Sequence, residues 1–246
     1  MFKVDLNCDM GEGGVHDSAL MQYVSSVNIA CGAHAGSREI MLRTIKNARS
    51  RGVAIGAHPG YADRENFGRV DVPLSANDVF RLVSEQIMDL KAICESNDAQ
   101  LNHVKPHGAL YNRAAKDRHV AAAIALAIAG IDQNIVLYGL ANSVSLVEAK
   151  KAGLRAASEA FADRTYQVDG SLTPRTSPNA IIKDASMAAD QALDMVIKRS
   201  VVSQSGRPVS IVADTICIHG DGEYALDFAE AIVNRLTTSG VLIEGF

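Results

Sequence analysis

Val4-Asp5-Leu6-Asn7-Cys8-Asp9-Met10-Gly11 is the stretch whose alternation decides the fold. Side chains change faces at every residue of a strand. Val4, Leu6 and Cys8 therefore share one face, and Asp5, Asn7 and Asp9 share the other. Four further segments end alike, an apolar run meeting a reactive residue beside glycine. They are Ile29-Ala30-Cys31-Gly32-Ala33-His34, Val53-Ala54-Ile55-Gly56-Ala57-His58, His103-Val104-Lys105-Pro106-His107-Gly108 and Ile216-Cys217-Ile218-His219-Gly220-Asp221. Their parity repeats the pattern. Val53, Ile55 and Ala57 oppose Ala54, Gly56 and His58; His103, Lys105 and His107 fall together; Ile216 and Ile218 oppose Cys217 and His219. An open doubly wound sheet should be apolar on both faces. One apolar face and one polar or small face fit a barrel with a polar lumen. Parallel strands of such a barrel end at one rim, where barrel enzymes assemble their sites.

Outside these segments, strand-like and helix-like runs alternate to the end, which implies a parallel sheet. Ser75 opens a capping box before Val79, Leu82, Val83, Leu90, Ile93 and Cys94 at helical spacing. Ser37 can cap a helix carrying Met41, Ile45 and Ala48 that stops at Gly52. Pro178 suits a first helical position before Ile181, Ile182, Ala185, Ala189 and Leu193. The last helix places Ala225, Ala229, Ile232, Val233 and Leu236 on one face before Gly240. Further strands fit 135–139 and 154–160, with 209–212 a weaker candidate. The expectation is an α/β chain with one domain over residues 1–246, a (β/α) barrel of about seven parallel strands.

Composition narrows the function. The 246 residues are 48% apolar and 21% charged, with a formal net charge of -4. With no basic stripe, nucleic acid is not an expected partner. No apolar run approaches the about 20 residues that span a membrane, and the first residues lack the charged region and apolar core of a signal peptide. The four cysteines show no CxxC spacing, so we expect a reduced, cytoplasmic protein.

Asp5, Asn7 and Asp9 on one strand face form a carboxylate cluster that could hold a metal or act as base. The plainer alternative is a buried hydrogen-bonded Asp5 and a loop-capping Asp9, which three polar groups in alternation argue against. Glu12 follows in Gly11-Glu12-Gly13-Gly14, a loop able to cradle phosphate through its amides. His34, His58, His107 and His219 each sit at a strand end beside glycine. One such histidine is ordinary; four in one topological position point to a site. A metal among Asp5, Asp9, His34 and His58 is one use of them. Lys105 needs an anion, either a carboxylate such as Asp5 or Asp9 or a substrate oxygen. The segment 159–170, with Asp163 and Arg164, reads as a charged loop after a strand, and 60–69 as a lid. No zincin or Walker A motif is present.

Together these residues resemble one family. Asp5–Glu12, Asn28–Gly36, Gly52–Tyr61, Val104–Asn112, Glu159–Arg164 and Asp214–Asp221 are similar, in order, to motifs of the LamB/YcsF family, the A subunits of bacterial ATP-dependent 5-oxoprolinase. The resemblance implies a seven-stranded β/α barrel of the glycoside hydrolase/deacetylase kind. It also implies ATP-driven opening of 5-oxo-L-proline to L-glutamate, with B and C partner subunits and Mg²⁺ in the complex. By motif position Asp5, Asp9, Lys105 and His107 become catalytic candidates. Asn7, Glu12, Asn28, His34, His58, Asp163, Arg164 and His219 become substrate-binding candidates. Ser37 where the family commonly has Asp, Asn66 and Val70 in the usual glycine–arginine run, and Gly222-Glu223-Tyr224 depart from the pattern at loop edges.

The same residues fit two other activities: a stand-alone metal-dependent deacetylase or glycoside hydrolase, and a non-catalytic subunit that binds a small acid or carbohydrate. Bound Zn²⁺ with ATP-independent turnover marks the first, and indifference of activity to site substitutions marks the second.

Overall fold

The computed structural model describes residues 1–218 and 224–246. Its strands are β1 (Lys3–Met10), β2 (Ser26–Ala30), β3 (Ala54–His58), β4 (Leu101–Val104), β5 (Val136–Leu140), β6 (Ala156–Phe161), β7 (Ser200–Val202), β8 (Pro208–Ser210), β9 (Thr215–Ile218) and β10 (Leu242–Ile243). Parallel pairing runs β1-β2-β3-β4-β5-β6-β9, and β9 pairs back onto β1, closing a barrel of seven strands. β10 adds in parallel at the start of β1, with Lys3 opposite Leu242.

The helices are α1 (Asp17–Leu20), α2 (Arg38–Arg51), α3 (Ala76–Glu95), α4 (Gly108–Ala114), α5 (Arg118–Ile131), α6 (Val144–Lys151), α7 (Ala185–Ile197) and α8 (Ala225–Thr238). Ser37 caps α2 by accepting from the Ile40 amide, and Gly52 ends it in the left-handed conformation at φ 68°. Ser75 caps α3 through the Asp78 amide. Their buried faces, Met41, Ile45 and Ala48 on α2 and Val79, Val83, Ile87 and Leu90 on α3, are those the spacing marks. They pack with Leu6, Cys8, Val27, Ile29, Ile55, Val104, Ile216 and Ile218, the outward strand faces, in one continuous core. Each large aliphatic side chain buried there is worth about 1.5–3 kcal/mol.

Two local expectations differ. Pro178 does not start a helix. The chain from 162 to 184 forms bridges instead, Arg164 with Ile181 and Tyr166 with Leu172. α7 starts later, at Ala185, where Asp184 caps it by accepting from the Ser186 and Met187 amides. The 209–212 candidate is not a barrel strand: Pro208–Ser210 pairs antiparallel with β7 in a separate two-stranded sheet.

Candidate active site

The lumen of many α/β barrels is filled by branched aliphatic side chains. Here the inward positions of β1 and its neighbours carry a polar network in layers. In the lowest layer the buried Asp5 carboxylate accepts from the hydroxyls of Ser25 (2.6 Å), Ser26 (2.8 Å), Tyr138 (3.0 Å) and Thr215. Burial lifts the Asp5 carboxyl above its usual range, although all four hydroxyls oppose that shift.

One layer up, Asn7 Nδ2 donates to Glu159 Oε1 at 2.9 Å and Thr215 Oγ1 at 2.8 Å. Its Oδ1 accepts from Asn28 at 2.7 Å and Lys105 Nζ at 3.2 Å. Asn28 also donates to Asp9 at 2.8 Å and accepts from His103 Nε2 at 2.8 Å. The His103 ring stacks on Tyr138 with centroids 4.1 Å apart, and burial holds its pKa down at about 3. Gly56 makes room for that ring, since a Cβ there would lie 2.1 Å from His103 Nε2.

Above this, Lys105 Nζ lies 3.0 Å from Asp9 Oδ1, 2.8 Å from Glu159 Oε1 and 3.1 Å from Cys217 Sγ. Burial disfavours the ammonium, but the charges of Asp9 and Glu159 outweigh it and hold Lys105 protonated. Glu159 Oε2 and the Tyr111 hydroxyl are buried without a hydrogen-bond partner among the described residues. Burial, then the charge of Glu159, pushes the Tyr111 phenol well up.

At the rim, Glu12 Oε1 sits 3.0 Å from His34 Nε2, 3.2 Å from His107 Nδ1 and 3.6 Å from His58 Nε2. His34 and His107 stack face to face, centroids 3.7 Å apart. The slot that holds them is lined by glycine: a Cβ at Gly60 would lie 2.7 Å from His34 Nδ1, and one at Gly68 would lie 2.9 Å from His34 Cβ. Gly68 also has φ +62° and could not take a side chain without strain. Phe67 sets its edge against both rings, and Arg64 ties its run to the His34 loop through the carbonyls of Gly32 and Gly36. Within the 60–69 run Tyr61 is fully buried, while Arg64, Glu65, Asn66 and Arg69 are exposed. Burial tends to raise the Glu12 carboxyl, but its contacts with His107 and His34 bring it down to about 2. Burial lowers His34 to about 4. Burial also works against protonated His58, but the charge and hydrogen bond of Asp9 prevail and raise it.

The site opens into a cavity of about 1010 Å³. Asp9, Glu12, His58, Lys105 and His107 line its floor, and Arg69, Lys116, Arg164 and Arg175 line its walls and mouth. Arg164 is itself buried and held by the carbonyls of Thr173 (2.6 Å) and Ala180 (3.3 Å), so it also ties the 163–182 loop together.

The structure therefore brings Asp9, Glu12, His34, His58, Lys105 and His107 together, with Asn7 and Asn28 beneath them. Asp5 shares their face but lies four residues down the strand from Asp9, about 13 Å at 3.3 Å per residue, and does not line the cavity. The group able to hold a metal ion is accordingly Glu12, His34, His58 and His107, with one donor atom each within 4.8 Å of one another. Asp163 is half-buried and does not line the cavity. His219 and Asp221 lie outside the described residues. Glu159 is a site residue that sequence reasoning missed. Its signal is a carboxylate inside an apolar strand at the parity of Ala157 and Phe161, which the charge-rich residues after it obscure.

The family model described as "LamB/YcsF family" matches residues 4–246. The chain is 51% identical over 239 residues to the 5-oxoprolinase A subunit of Erwinia tasmaniensis, covering 97% of this chain and 98% of that one. It is 44% identical over 249 residues to the protein of the same name from Staphylococcus haemolyticus, covering 98% and 99%. The crystal structure of the lactam utilization protein from Thermus thermophilus superposes with a TM-score of 0.94 at 42% identity, covering 99% of this chain and 100% of that one. The polysaccharide deacetylase Bc1974 from Bacillus cereus has a TM-score of 0.51 at 11% identity, covering 100% and 92%, a likeness of fold alone. No helix among the described residues is long and apolar enough to cross a membrane.

Proposed function

Because the chain belongs to the LamB/YcsF family, we propose that it is the A subunit of an ATP-dependent 5-oxoprolinase and opens 5-oxo-L-proline to L-glutamate together with B and C subunits. The relatives named as 5-oxoprolinase A subunits support the substrate class. The observation that carries the reading is Lys105, held charged between Asp9 and Glu159 at the floor of the cavity.

A lactam carbonyl is a poor electrophile, and opening this ring runs uphill without coupling. Transfer of the γ-phosphoryl group of ATP to the amide oxygen releases ADP and makes the ring carbon a better electrophile. One water adds to that carbon and the C–N bond breaks, leaving the amine and an acyl phosphate. A second water releases phosphate from it and gives the carboxylate. Lys105 neutralises negative charge developing on the oxygen, and Asp9 positions the first water, draws its proton and passes it to the leaving nitrogen. The cavity volume of about 1010 Å³ is at the upper end of the about 300–1,000 Å³ of small-molecule sites. It leaves room for a second reactant beside a five-membered ring. Arg69, Lys116, Arg164 and Arg175 with the Gly13-Gly14 loop suit a polyphosphate there, and Mg²⁺ would accompany it. Four buried cysteines, none in a disulfide, agree with a reducing cytoplasm.

The test is turnover of labelled 5-oxoproline by this chain with and without ATP and the B and C subunits. Glutamate is expected only when all are present. ATP-independent turnover by the chain alone, or deacetylation of an acetylated sugar, would replace this reading with the stand-alone hydrolase.

A further inference from the structure

The rim cluster contains more acceptors than its own protons can satisfy. His58 Nδ1 lies 2.7 Å from the Lys105 carbonyl and His107 Nε2 lies 2.8 Å from the Phe67 carbonyl. A carbonyl only accepts, so both of those nitrogens carry hydrogen. With both rings in the neutral form that binds a metal, the other nitrogens, His58 Nε2 and His107 Nδ1, point lone pairs at each other across 2.9 Å. Glu12 Oε1, an acceptor as well, lies 3.6 Å from the first and 3.2 Å from the second. His34 Nε2 closes on the same oxygen at 3.0 Å, while its Nδ1 is buried with no partner among the described residues. One shared proton settles one acceptor pair. A divalent cation at the centre settles all four.

We propose that Glu12 Oε1, His34 Nε2, His58 Nε2 and His107 Nδ1 bind one divalent transition-metal ion, Zn²⁺ being the best match. The size fits. An ion about 2.0–2.1 Å from four tetrahedral donors spans six donor–donor edges of about 3.4 Å; four of the six run from 2.9 to 3.6 Å here and the two between His34 and the other histidines stay within 4.8 Å. The donor chemistry fits too. Three imidazoles and one carboxylate favour zinc over Mg²⁺, which takes oxygen ligands and keeps its water. The carbonyls behind His58 and His107 are the outer partners that fix ring orientation in metal-binding histidines. The ion is therefore distinct from any Mg²⁺ that accompanies a nucleotide.

The test is metal binding, measured without turnover, so it can fail while the lactam reading stands, and the reverse. The full chain is stripped with a chelator and titrated with Zn²⁺. One equivalent is expected, undisturbed by millimolar Mg²⁺, and Co²⁺ in its place should give the intense visible bands of a tetrahedral site. Glu12→Gln and His107→Gln should each weaken binding by about two orders of magnitude or more while circular dichroism stays that of the parent. In the parent itself, one equivalent of Zn²⁺ should move the imidazole NMR signals of His34, His58 and His107 and leave His16 and His119 in place, a readout that needs no variant to fold. No stoichiometric binding below about millimolar Zn²⁺, signals that move at other histidines, or unchanged affinity in a folded Glu12→Gln protein would each overturn the proposal.

Discussion

Two carboxylates of one strand face part company in their surroundings. Asp9 reaches the cavity and is paired with Lys105; Asp5 is sealed beneath it by four hydroxyls. Asp9→Asn keeps shape and leaves the Lys105–Glu159 pair intact, so we expect a folded protein whose turnover in the assembled complex falls about a hundredfold or more. Lys105→Met is a harsher change. It removes the cation and leaves Asp9 and Glu159 facing each other, so melting temperature should fall along with activity. Turnover per folded molecule, from activity and circular dichroism on one sample, separates the two losses. A variant that melts early yet turns over at the parent rate would make Lys105 structural only. Asp5→Asn should act on stability first. Its amide would present hydrogens to hydroxyls that now donate, at about 1–3 kcal/mol, read as a lower denaturation midpoint with comparatively little loss of turnover.

The strands show why some of this is legible in the sequence and some is not. In β1 three polar residues at period two admit only one face for the lumen, and β3, β4 and β9 repeat the rule, so barrel and rim follow from parity. Glu159 obeys the same parity on β6, but one charge beside a charged loop carries no period. Glu12 reads as part of a glycine loop because its histidine partners come from three other strand ends, a relation only closure of the barrel creates. Pro178 satisfies the first-position rule for a helix, and Asp184 satisfies the cap rule further along the chain; bridges in 162–184 decide between them. Packing between β3 and β4 supplies a sharp test. The His103 ring occupies the space of a Cβ at Gly56 and is fixed by Asn28 and Tyr138, so it has no free end to swing aside. Gly56→Ala is expected to cost about 1–3 kcal/mol. Adding His103→Ala should recover part of that cost in a double-mutant cycle on thermal unfolding; additive losses would mean the ring and Gly56 are not coupled.

For the whole molecule, the buried polar lumen predicts how stability follows acidity. His103 takes up its proton near pH 6.5 when unfolded but only near about pH 3 when folded. Between those values the unfolded chain binds more protons, so stability rises with pH across that window and falls as acid is added, by up to about 1.4 kcal/mol per pH unit for this group. Urea midpoints measured from pH 4 to 7 should show that slope, and His103→Gln should flatten it. If residues 1–246 form one domain, as the continuous core leads us to expect, these melts should be single transitions that coincide by circular dichroism and fluorescence. Ring closure also has a consequence for how the chain is made. Asp5 and Asn7 leave the ribosome about two hundred residues before Thr215, which bonds both. Until then β1 and β6 are open edges with charged and amide groups facing an unfinished interior. Synthesis must run past residue 215 before β1 has both its neighbours. A pause in translation shortly before residue 215 would hold the chain in its most adhesive form, and a chaperone that shields sheet edges would be most needed there.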